Sequence, residues 1–217
     1  MLEDRILYID AEAIVIDKPA GLPVDPPRDG GDSIAARAHE LMLGFQREPV
    51  AMHRLDRDTS GCLLLARNPK ARARFQQAFE SGTVEKTYLA VVEGEPEGAE
   101  GLIDLPLAKV STAAEGWRMV PDDSGKSART RWRKLASRDG QSLVEFKPLS
   151  GRTHQIRVHA ARGLGAPVVG DPVYGASGEA MLLHSRRLVV PRANKPPIDV
   201  AAPVPDSFGL WLDVLDA

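Results

Sequence analysis

The most reactive combination of side chains in the sequence is a carboxylate placed between arginines. The segment His53–Gly61 reads HRLDRDTSG, and in it Asp56 lies two residues after Arg54 and one before Arg57. Positive charges within a few ångströms favour the ionised form of a carboxylate at neutral pH. An ionised aspartate is a competent nucleophile in glycosyl chemistry, where it forms a covalent adduct with the sugar. The alternative is a turn cap or a surface ion pair made by Asp56 or Asp58, the commoner origin of an isolated Arg-x-Asp.

Two further segments carry side chains that suit nucleic-acid chemistry. Tyr88 opens the apolar run Tyr88–Val92, where its ring is either an ordinary half-buried strand aromatic or a platform on which a base stacks. The segment Ser150–His159 reads SGRTHQIRVH and is followed by GDPVYG at Gly170–Gly175. The density of hydrogen-bond donors in these segments suits phosphate groups. A surface helix with structural histidines would show the same donors, so both interpretations stay open.

The common catalytic and metal-binding motifs are missing. The sequence has no Gly-x-Ser-x-Gly elbow, no Walker phosphate loop and no Gly-x-Gly-x-x-Gly after a strand. The single cysteine, Cys62, excludes a four-cysteine zinc site and an internal disulfide. His154 and His159 are five residues apart, which places them on different faces of a helix. These residues disfavour a zinc site.

The composition favours an ordinary globular protein. Of the 217 residues, 43% are hydrophobic and 27% are charged, which argues against wholesale disorder. The longest apolar runs, Cys62–Ala66 and Tyr88–Val92, have five residues, whereas a membrane helix needs roughly 20. The first residues show no basic region followed by an apolar stretch, as a secretory signal would. We therefore expect a reduced, soluble, cytoplasmic protein that does not contact membranes, and we expect a monomer.

The charge is distributed unevenly along the chain. Residues 126–195 contain 14 Lys and Arg against 4 Asp and Glu, a balance of +10, although the whole chain has a net charge of −2. The remaining residues therefore carry −12. Such asymmetry is typical of a face that binds a polyanion. A solvated basic surface paired with acidic residues elsewhere in the fold is an equally good explanation of the charge alone.

Hydrophobic periodicity and turn residues predict an α+β fold. Strands outnumber helices and do not alternate strictly with them, which favours a mostly antiparallel sheet over a doubly wound one. Asn68 and Pro69 predict a helix start, and Gly82 predicts its end. The predicted strands are Ile6–Ile9, Ala13–Asp17, Thr83–Val92, Ala128–Leu135 and Ser142–Lys147, and the other predicted helices are Ser33–Phe45 and Thr153–Ala161. Asp139 and Gly140 are the predicted turn between the last two strands.

One predicted strand presents a row of arginines. Alternation along Ala128–Leu135 places Arg129, Arg131 and Arg133 on one face, opposite Thr130 and Trp132. Three arginines along one strand face cannot belong to the core, so that face meets solvent or phosphate.

The segments, in their order along the chain, resemble the RluA-type family of RNA pseudouridine synthases. His53–Gly61 is similar to the family signature almost letter for letter, and Lys86–Tyr88 is similar to its tyrosine strand. Gly151–His159 is similar to its arginine motif. Together with two weaker motifs, the matching segments extend over nearly the whole chain.

The two weaker motifs each differ from the family pattern at one residue. Ile16–Gly21 reads IDKPAG and resembles the first family motif, normally Asn-Lys-Pro-x-Gly, with Asp17 where asparagine is usual. Leu182–Ser185 reads LLHS and resembles a later motif, with Ser185 where alanine is commoner.

The resemblance implies both a fold and a reaction. The fold is a curved, mixed but mostly antiparallel sheet with helices on its outer faces and the active site in a central cleft. The reaction isomerises uridine within RNA to pseudouridine. The N-glycosidic bond breaks, the uracil rotates while it is held, and C5 then bonds to C1′. Because no redox step or group transfer occurs, we expect no cofactor and no metal.

The resemblance also implies roles for individual residues. Asp56 matches the catalytic aspartate, and Arg152 matches the basic residue that pairs with it. Tyr88 matches the tyrosine that stacks on the target base and is a candidate for removing the C5 proton. Arg54 matches a side chain that helps to flip the target nucleotide out of its stack, and Leu183 packs against the uracil. Whether Asp56 attacks the sugar, attacks the base or removes a proton from C2′ stays open.

The resemblance limits the RNA partner only to a class. Many relatives carry an S4-type RNA-binding domain before the catalytic one, but the first predicted catalytic strand already begins at Ile6. We therefore expect one catalytic domain over residues 1–217, as in compact members that modify tRNA, ribosomal RNA stem-loops or both. RNA binding is expected along residues 126–138, which include Arg129, Arg131 and Arg133. Two alternatives are an RNA-binding protein of this fold that has lost the chemistry, and a glycosylase that releases the base.

Overall fold

The structure is a computed structural model that describes residues 1–27, 30–112, 116–176, 178 and 180–215. The chain forms two compact units, one comprising Met1–Lys86 with Ser185–Val204 and the other comprising Thr87–His184 with Pro205–Ala217. No helix in the described ranges is long and apolar enough to cross a membrane.

Strands dominate over helices, which confirms the predicted α+β class. The α-helices are short apart from the first, and 3₁₀ turns are found at Glu3–Arg5, Ala38–Leu41 and Asp206–Trp211. The elements in chain order are β1 (Ile6–Ile9), β2 (Ala13–Lys18), β3 (Val50–Ala51), β4 (Ser60–Ala66), α1 (Pro69–Glu80), β5 (Glu85–Glu93), β6 (Glu100–Asp104), β7 (Leu107–Thr112), β8 (Gly116–Pro121), β9 (Arg129–Arg138), β10 (Gln141–Pro148), α2 (Gln155–Val158), β11 (Leu183–Val190), β12 (Ile198–Ala201) and α3 (Leu212–Leu215).

The first unit is built on the neighbouring strands β1, β2, β4 and β11, in that order. The pairs β1–β2, β2–β4, β3–β4 and β11–β12 are all antiparallel. The turn between β1 and β2 is closed by Asp10, whose carboxylate accepts hydrogen bonds from the backbone N–H groups of Glu12 and Ala13 at 2.8 and 2.9 Å. The two N-terminal strands predicted from the sequence are thus present.

Helix α1 covers one face of this sheet. Ala71 and Phe75 of the helix are buried in one cluster with Val15 of β2, Leu64 of β4 and Leu188 of β11. Burying such apolar area is the main stabilising contribution of a helix packed on a sheet.

Helix α1 begins as its sequence predicts. The side chain of Asn68 accepts a hydrogen bond from the backbone N–H of Ala71 at 2.8 Å, and Pro69 occupies the first turn. Gly82 follows the helix with a φ of +70°, a backbone conformation that favours glycine. The cap and the stop residue act where they were predicted because both are local effects.

The helix predicted over Ser33–Phe45 is wrong. This segment contains turns and a 3₁₀ turn at Ala38–Leu41. Ile34 and Leu41 are fully buried. The apolar spacing therefore predicts correctly which residues are buried, although it predicts the wrong backbone conformation. The backbone N–H of Ile34 donates to Pro23 at 2.9 Å, and this anchor to the preceding loop replaces the regular helical geometry. A spacing of three and four residues is satisfied by successive turns as well as by a helix.

The second unit contains the strands β5, β10, β9 and β6, in that order, and a separate two-stranded sheet of β7 and β8. The pairs β5–β10, β9–β10, β6–β9 and β7–β8 are antiparallel. Asp139 and Gly140 join β9 to β10 with φ values of +52° and +76°, which is the combination that a tight hairpin turn needs. The predicted strand pair and its turn are therefore present.

Strand β9 alternates as predicted. Thr130 and Trp132 are buried, while Arg129, Arg131 and Arg133 are exposed. Strand β5 starts at Glu85, two residues later than predicted, and Tyr88–Val92 is buried without alternation. Both faces of this stretch are therefore packed against other parts of the protein. A strand with one face in solvent would instead alternate between buried and exposed residues.

The helix predicted over Thr153–Ala161 is shorter than expected. Helix α2 starts at Gln155 and ends at Val158, and a π-helical turn follows at His159–Gly163. His154 has a φ of +52°, which no residue of a right-handed helix adopts, so the helix cannot begin before it.

Candidate functional site

The signature segment forms the connection that leads into β4. Asp56 lies half-buried in this connection, and its carbonyl oxygen accepts a hydrogen bond from the backbone N–H of Thr59 at 3.2 Å. The following strand β4 is buried along its whole length. Asp56 is thus held immediately before a rigid, fully packed strand.

A buried lysine fixes this loop from the other side. Lys18 ends strand β2 and is 0% exposed. Its Nζ donates three hydrogen bonds, to the carbonyl oxygens of Pro19 and Leu22 at 2.7 Å each and of Arg57 at 3.0 Å. Because an ammonium group has three protons, these carbonyls satisfy all of its donors. The IDKPAG loop and the signature loop are therefore tied together through one nitrogen atom.

A second pair of hydrogen bonds joins the same two loops. The backbone N–H of Gly21 donates to the carbonyl oxygen of Arg57 at 2.9 Å. In return, Nε of Arg57 donates to the carbonyl oxygen of Gly21 at 3.0 Å. Gly21 has a φ of +83°, a conformation that a side chain would strain. The peptide adjacent to Asp56 is thus bound from two directions.

The pKa of Lys18 depends on its burial and on the acidic residues around it. Burial lowers the pKa of Lys18 to about 8, against the opposing effect of the negative charges of Asp58, Asp56 and Asp17. The lysine is therefore still mostly charged at neutral pH.

Asp17 is in a different situation from the other carboxylates. Burial raises the pKa of Asp17 above its ordinary value, although the charges of Arg5 and Lys18 oppose this. Its Oδ2 lies 3.5 Å from a guanidinium nitrogen of Arg5. The residue that differs from the usual asparagine of the motif thus forms a structural ion pair at the end of β2.

His53, the first residue of the signature, is neutral. Its Nε2 accepts a hydrogen bond from the backbone N–H of Leu64 at 3.1 Å, and its ring stacks on Phe79 at a centroid distance of 5.1 Å. Burial, and then the charge of Lys86, lower the pKa of His53 to about 3. His53 therefore connects the start of the loop to β4 and α1 as an uncharged group.

Arg54 points to solvent. Its side chain is 69% exposed, and its nearest acidic contact is Asp25, whose Oδ2 lies 3.8 Å from a guanidinium nitrogen. Exposed pairs at this separation contribute little to stability. The arginine can therefore leave this contact for a nucleotide at low energetic cost.

The site residues predicted in the second unit lie on a strand, on a strand start and in a loop. Tyr88 lies in β5 opposite Phe146 of β10 and is buried. Leu183 begins β11 and is also buried. Arg152 is exposed in the loop before α2, and its Nε donates to the carbonyl oxygen of Ser127 at 3.0 Å.

A buried glutamine shapes the loop that carries Arg152. Oε1 of Gln155 accepts hydrogen bonds from Oγ of Ser150 at 2.8 Å and from the backbone N–H of Arg152 at 3.0 Å. Its Nε2 donates to the carbonyl oxygen of Arg129 at 3.0 Å and to Oγ1 of Thr130 at 2.9 Å. Both ends of the amide are used, so the backbone of Arg152 is fixed to strand β9.

A buried ion pair joins helix α2 to the segment GDPVYG. Arg157 binds Asp171 through two hydrogen bonds, at 2.8 and 2.7 Å. Burial alone would raise the pKa of Asp171, but the hydrogen bonds and charge of Arg157, with the backbone N–H groups of Val173 and Tyr174, hold it below its ordinary value. The segment GDPVYG is therefore a structural partner of the arginine motif.

The face with the three arginines carries charges of both signs. Nε of Arg129 lies 3.4 Å from Oδ2 of Asp104, and a guanidinium nitrogen of Arg133 lies 3.5 Å from Oε1 of Glu145. Arg131 forms no ion pair within the described part of the chain. Two of the three arginines are thus paired with acidic residues, as expected if the uneven charge reflects a solvated basic surface and not an RNA-binding face.

The predicted site residues belong to both units, each with its own supporting contacts. Asp56 and Arg54 share the signature loop of the first unit, whereas Tyr88, Arg152 and Leu183 belong to the second. The two supporting residues, Lys18 and Gln155, are not among the predicted site residues. The available signals were a lysine directly after an apolar strand and a glutamine inside the arginine motif.

Comparison with known proteins gives a consistent result. Residues 12–162 match the protein family described as RNA pseudouridylate synthase. An uncharacterized RNA pseudouridine synthase of Zymomonas mobilis subsp. mobilis is 55% identical over 212 residues, which cover 96% of this chain and 97% of the relative. The ribosomal large subunit pseudouridine synthase D of the same organism is 35% identical over 183 residues, 81% of this chain and 57% of that protein. The solved structure of human RNA pseudouridylate synthase domain containing 4 has a TM-score of 0.81 at 26% identity and covers 99% of this chain and 94% of its own.

The neutral state of His53 predicts a specific pH dependence of stability. The unfolded chain takes up a proton on this histidine near pH 6.5, whereas the folded protein resists it down to about pH 3, so stability falls as the pH drops through this window. Between pH 8 and pH 5 the loss from one such group is about 2 kcal/mol. His53→Gln keeps an acceptor for the backbone of Leu64 and should reduce the acid-induced loss of unfolding free energy by that amount. Urea unfolding at several pH values measures it.

The matched control is His39→Gln, which removes an exposed histidine of the same unit. This variant should follow the wild-type curve. An unchanged pH dependence in His53→Gln would contradict this prediction, because it would show that His53 has the same pKa in the folded and unfolded states.

Proposed function

We propose that this chain, which belongs to the RluA-type family of RNA pseudouridine synthases, converts specific uridines of structured RNA to pseudouridine through the carboxylate of Asp56. The family, the catalytic fold and the isomerase activity predicted from the motifs are confirmed by the family match over residues 12–162 and the TM-score of 0.81. The observation that supports the assignment of Asp56 is the fixed backbone beside it, because the carbonyl oxygen of Arg57 accepts hydrogen bonds from Nζ of the buried Lys18 and from the backbone N–H of Gly21.

Two other carboxylates near Lys18 fit the catalytic role less well. Asp17 pairs with Arg5, and burial raises its pKa, so it is less readily available as an ionised group. Asp58 lies two residues after Asp56 in the same loop and provides the natural comparison. The position of Asp56 in the signature favours it over Asp58.

Tyr88 and Arg152 are assigned to catalysis together with Asp56, and Arg54 and Leu183 are assigned to binding the target nucleotide. Tyr88 stacks on the target base, and its hydroxyl is a candidate for removing the C5 proton. Arg152 pairs with the catalytic carboxylate, and the contacts of Gln155 fix the backbone from which Arg152 extends. Arg54, which is exposed and weakly paired, assists nucleotide flipping. Leu183 provides an apolar surface for the uracil.

The substrate we propose is a stem-loop of ribosomal RNA or tRNA. One relative is named as acting on the large ribosomal subunit and is 35% identical over 183 residues. Proteins recognise RNA mainly through loop shape and splayed bases, so a compact chain can select a loop without reading a long sequence. Arg129, Arg131 and Arg133 are the proposed phosphate contacts.

Asp56→Asn should abolish isomerisation with little effect on RNA affinity. Asparagine has the same shape but can be neither a nucleophile nor a base, so turnover should fall by about 10³-fold or more. The measurement is pseudouridine formation in ribosomal RNA and tRNA that lack pseudouridine, mapped by carbodiimide treatment and reverse transcription. Asp58→Asn is the matched control and should keep most of the activity. Comparable loss in both variants would contradict the assignment, and release of free uracil by the wild type would instead indicate a glycosylase.

Tyr88→Phe should bind RNA normally and turn over slowly, because stacking survives and only the hydroxyl is lost. Tyr88→Leu should lose both affinity and turnover. Single-turnover kinetics and filter binding separate the two effects. Tyr8→Phe removes a phenol hydroxyl that hydrogen-bonds Asp10 and should leave turnover unchanged. Equal turnover of wild type and Tyr88→Phe would limit Tyr88 to packing.

Replacing Arg129, Arg131 and Arg133 by glutamine should weaken binding to every RNA tested and make it less sensitive to salt. Each phosphate contact on single-stranded RNA contributes a slope of about −0.7 in log K against log salt, so the slope should flatten by up to about 2. The control replaces Arg47, Lys70 and Arg72, which are exposed on the first unit, and changes the net charge equally. If both triple variants show the same slope, net charge and not the β9 face determines binding.

A further inference from the structure

The β7–β8 hairpin exposes a tryptophan beyond the core of the second unit. Trp117 is 46% exposed, whereas the other two tryptophans, Trp132 and Trp211, are 8% and 7% exposed. Lys109 and Met119 are directly opposite each other in the hairpin, and Ser111 is opposite Trp117, so Trp117 and Met119 share one face. Met119 is buried at the base of the hairpin. The tryptophan thus continues an apolar face outward into solvent.

Contacts to the proposed catalytic region hold this ring in place. The His154 ring lies 5.0 Å from the Trp117 ring at an interplanar angle of 31°. Nδ1 of His154 is hydrogen-bonded to the hydroxyl of Tyr174 at 2.9 Å, and that hydroxyl accepts the backbone N–H of Met119 at 3.0 Å. His154 is two residues after Arg152. The exposed ring is therefore fixed relative to the loop of a proposed catalytic residue.

A cation accompanies the exposed ring. Nζ of Lys109 lies 4.8 Å from the centroid of the Trp117 ring, and Lys109 is exposed on β7. A flexible lysine exchanges such a contact easily, because a single exposed cation–π pair is weak. An aromatic surface beside a mobile ammonium group is the combination that single-stranded nucleic acid uses, with the base on the ring and the phosphate on the amine.

We propose that Trp117 and Lys109 form an RNA contact of the second unit, in which an unpaired base of the substrate stacks on Trp117 and Lys109 binds the adjacent phosphate. The inference rests on the proposed function for the identity of the ligand as RNA. The contact is distinct from the catalytic residues, since neither side chain takes part in the chemistry. It provides affinity for unpaired nucleotides and selects RNA loops over duplexes.

Trp117 is the one exposed residue among the three tryptophans of the chain, so quenching of tryptophan fluorescence can report RNA binding at this ring. Iodide quenches the fluorescence of exposed tryptophans, so in the full-length protein it should act mainly on Trp117. Saturation with poly(U), an unpaired RNA, should protect this signal, and Trp117→Phe should show little quenching with or without RNA. Trp117→Leu should bind poly(U) about tenfold more weakly, whereas Trp117→Phe should stay near the wild type. Lys109→Gln should flatten the salt slope by about 0.7.

The matched control is Leu102→Ala, which changes another exposed apolar residue of the same unit and should bind poly(U) normally. The proposal is overturned if poly(U) leaves Trp117 fully quenchable while Trp117→Leu binds as tightly as the wild type. Protection that depends on protein concentration without RNA would assign the ring to a second copy and also overturns it. Pseudouridine formation by the wild type is measured separately, so failure of the proposed function is distinguished from failure of this contact.

Discussion

A fully buried ammonium group determines the conformation of the signature loop. Lysine is rarely buried completely, yet Lys18 is 0% exposed at the end of a strand whose other residues are almost all buried. Its three hydrogen bonds satisfy three carbonyl oxygens in two loops that are otherwise irregular. A buried donor of Lys18 without a partner would cost about 1–3 kcal/mol or more, so the loops and the lysine stabilise each other. An apolar side chain of similar size could fill the space but could not hold this backbone.

The second unit uses the same strategy with an uncharged group. Gln155 connects the loop of Arg152 to strand β9 through both ends of its amide. Asp56 and Arg152, the proposed catalytic residues next to these two contacts, both lie in irregular segments, where hydrogen bonds of a buried polar side chain take the place of the regular backbone hydrogen bonds of a strand or helix. Loops built in this way combine the exposure that a substrate needs with the rigidity that a reaction needs.

Local chemistry explains which parts of the fold could be predicted from the sequence. The cap at Asn68, the Asp139–Gly140 turn and the alternation of β9 depend on residues close together in sequence, and all three are present. The helix predicted over Ser33–Phe45 is wrong because successive turns bury the same apolar residues as a helix does, and hydrogen bonds to the preceding loop favour the turns.

The roles of Lys18 and Gln155 could not be predicted, because each also binds a partner distant in sequence, Arg57 and strand β9 respectively, and because a lysine is ordinarily solvent-exposed. The positive φ of His154 is likewise a tertiary effect. The family motifs nevertheless identified the candidate residues, because matching a sequence pattern does not require knowledge of the tertiary contacts that its residues make.

Strand β6 has a consequence for the behaviour of the protein at high concentration. It pairs with β9 and, within the described strands, with no other, so one row of its backbone groups is open to a further strand. Open edges of this kind promote fibre-like polymerisation unless charges interrupt them. Glu100 and Asp104 stand at the two ends of β6 and are exposed. A second copy that aligned on this edge would bring like charges together, so Asp104, which lies beside Arg129 of β9, and Glu100 also keep the molecules apart.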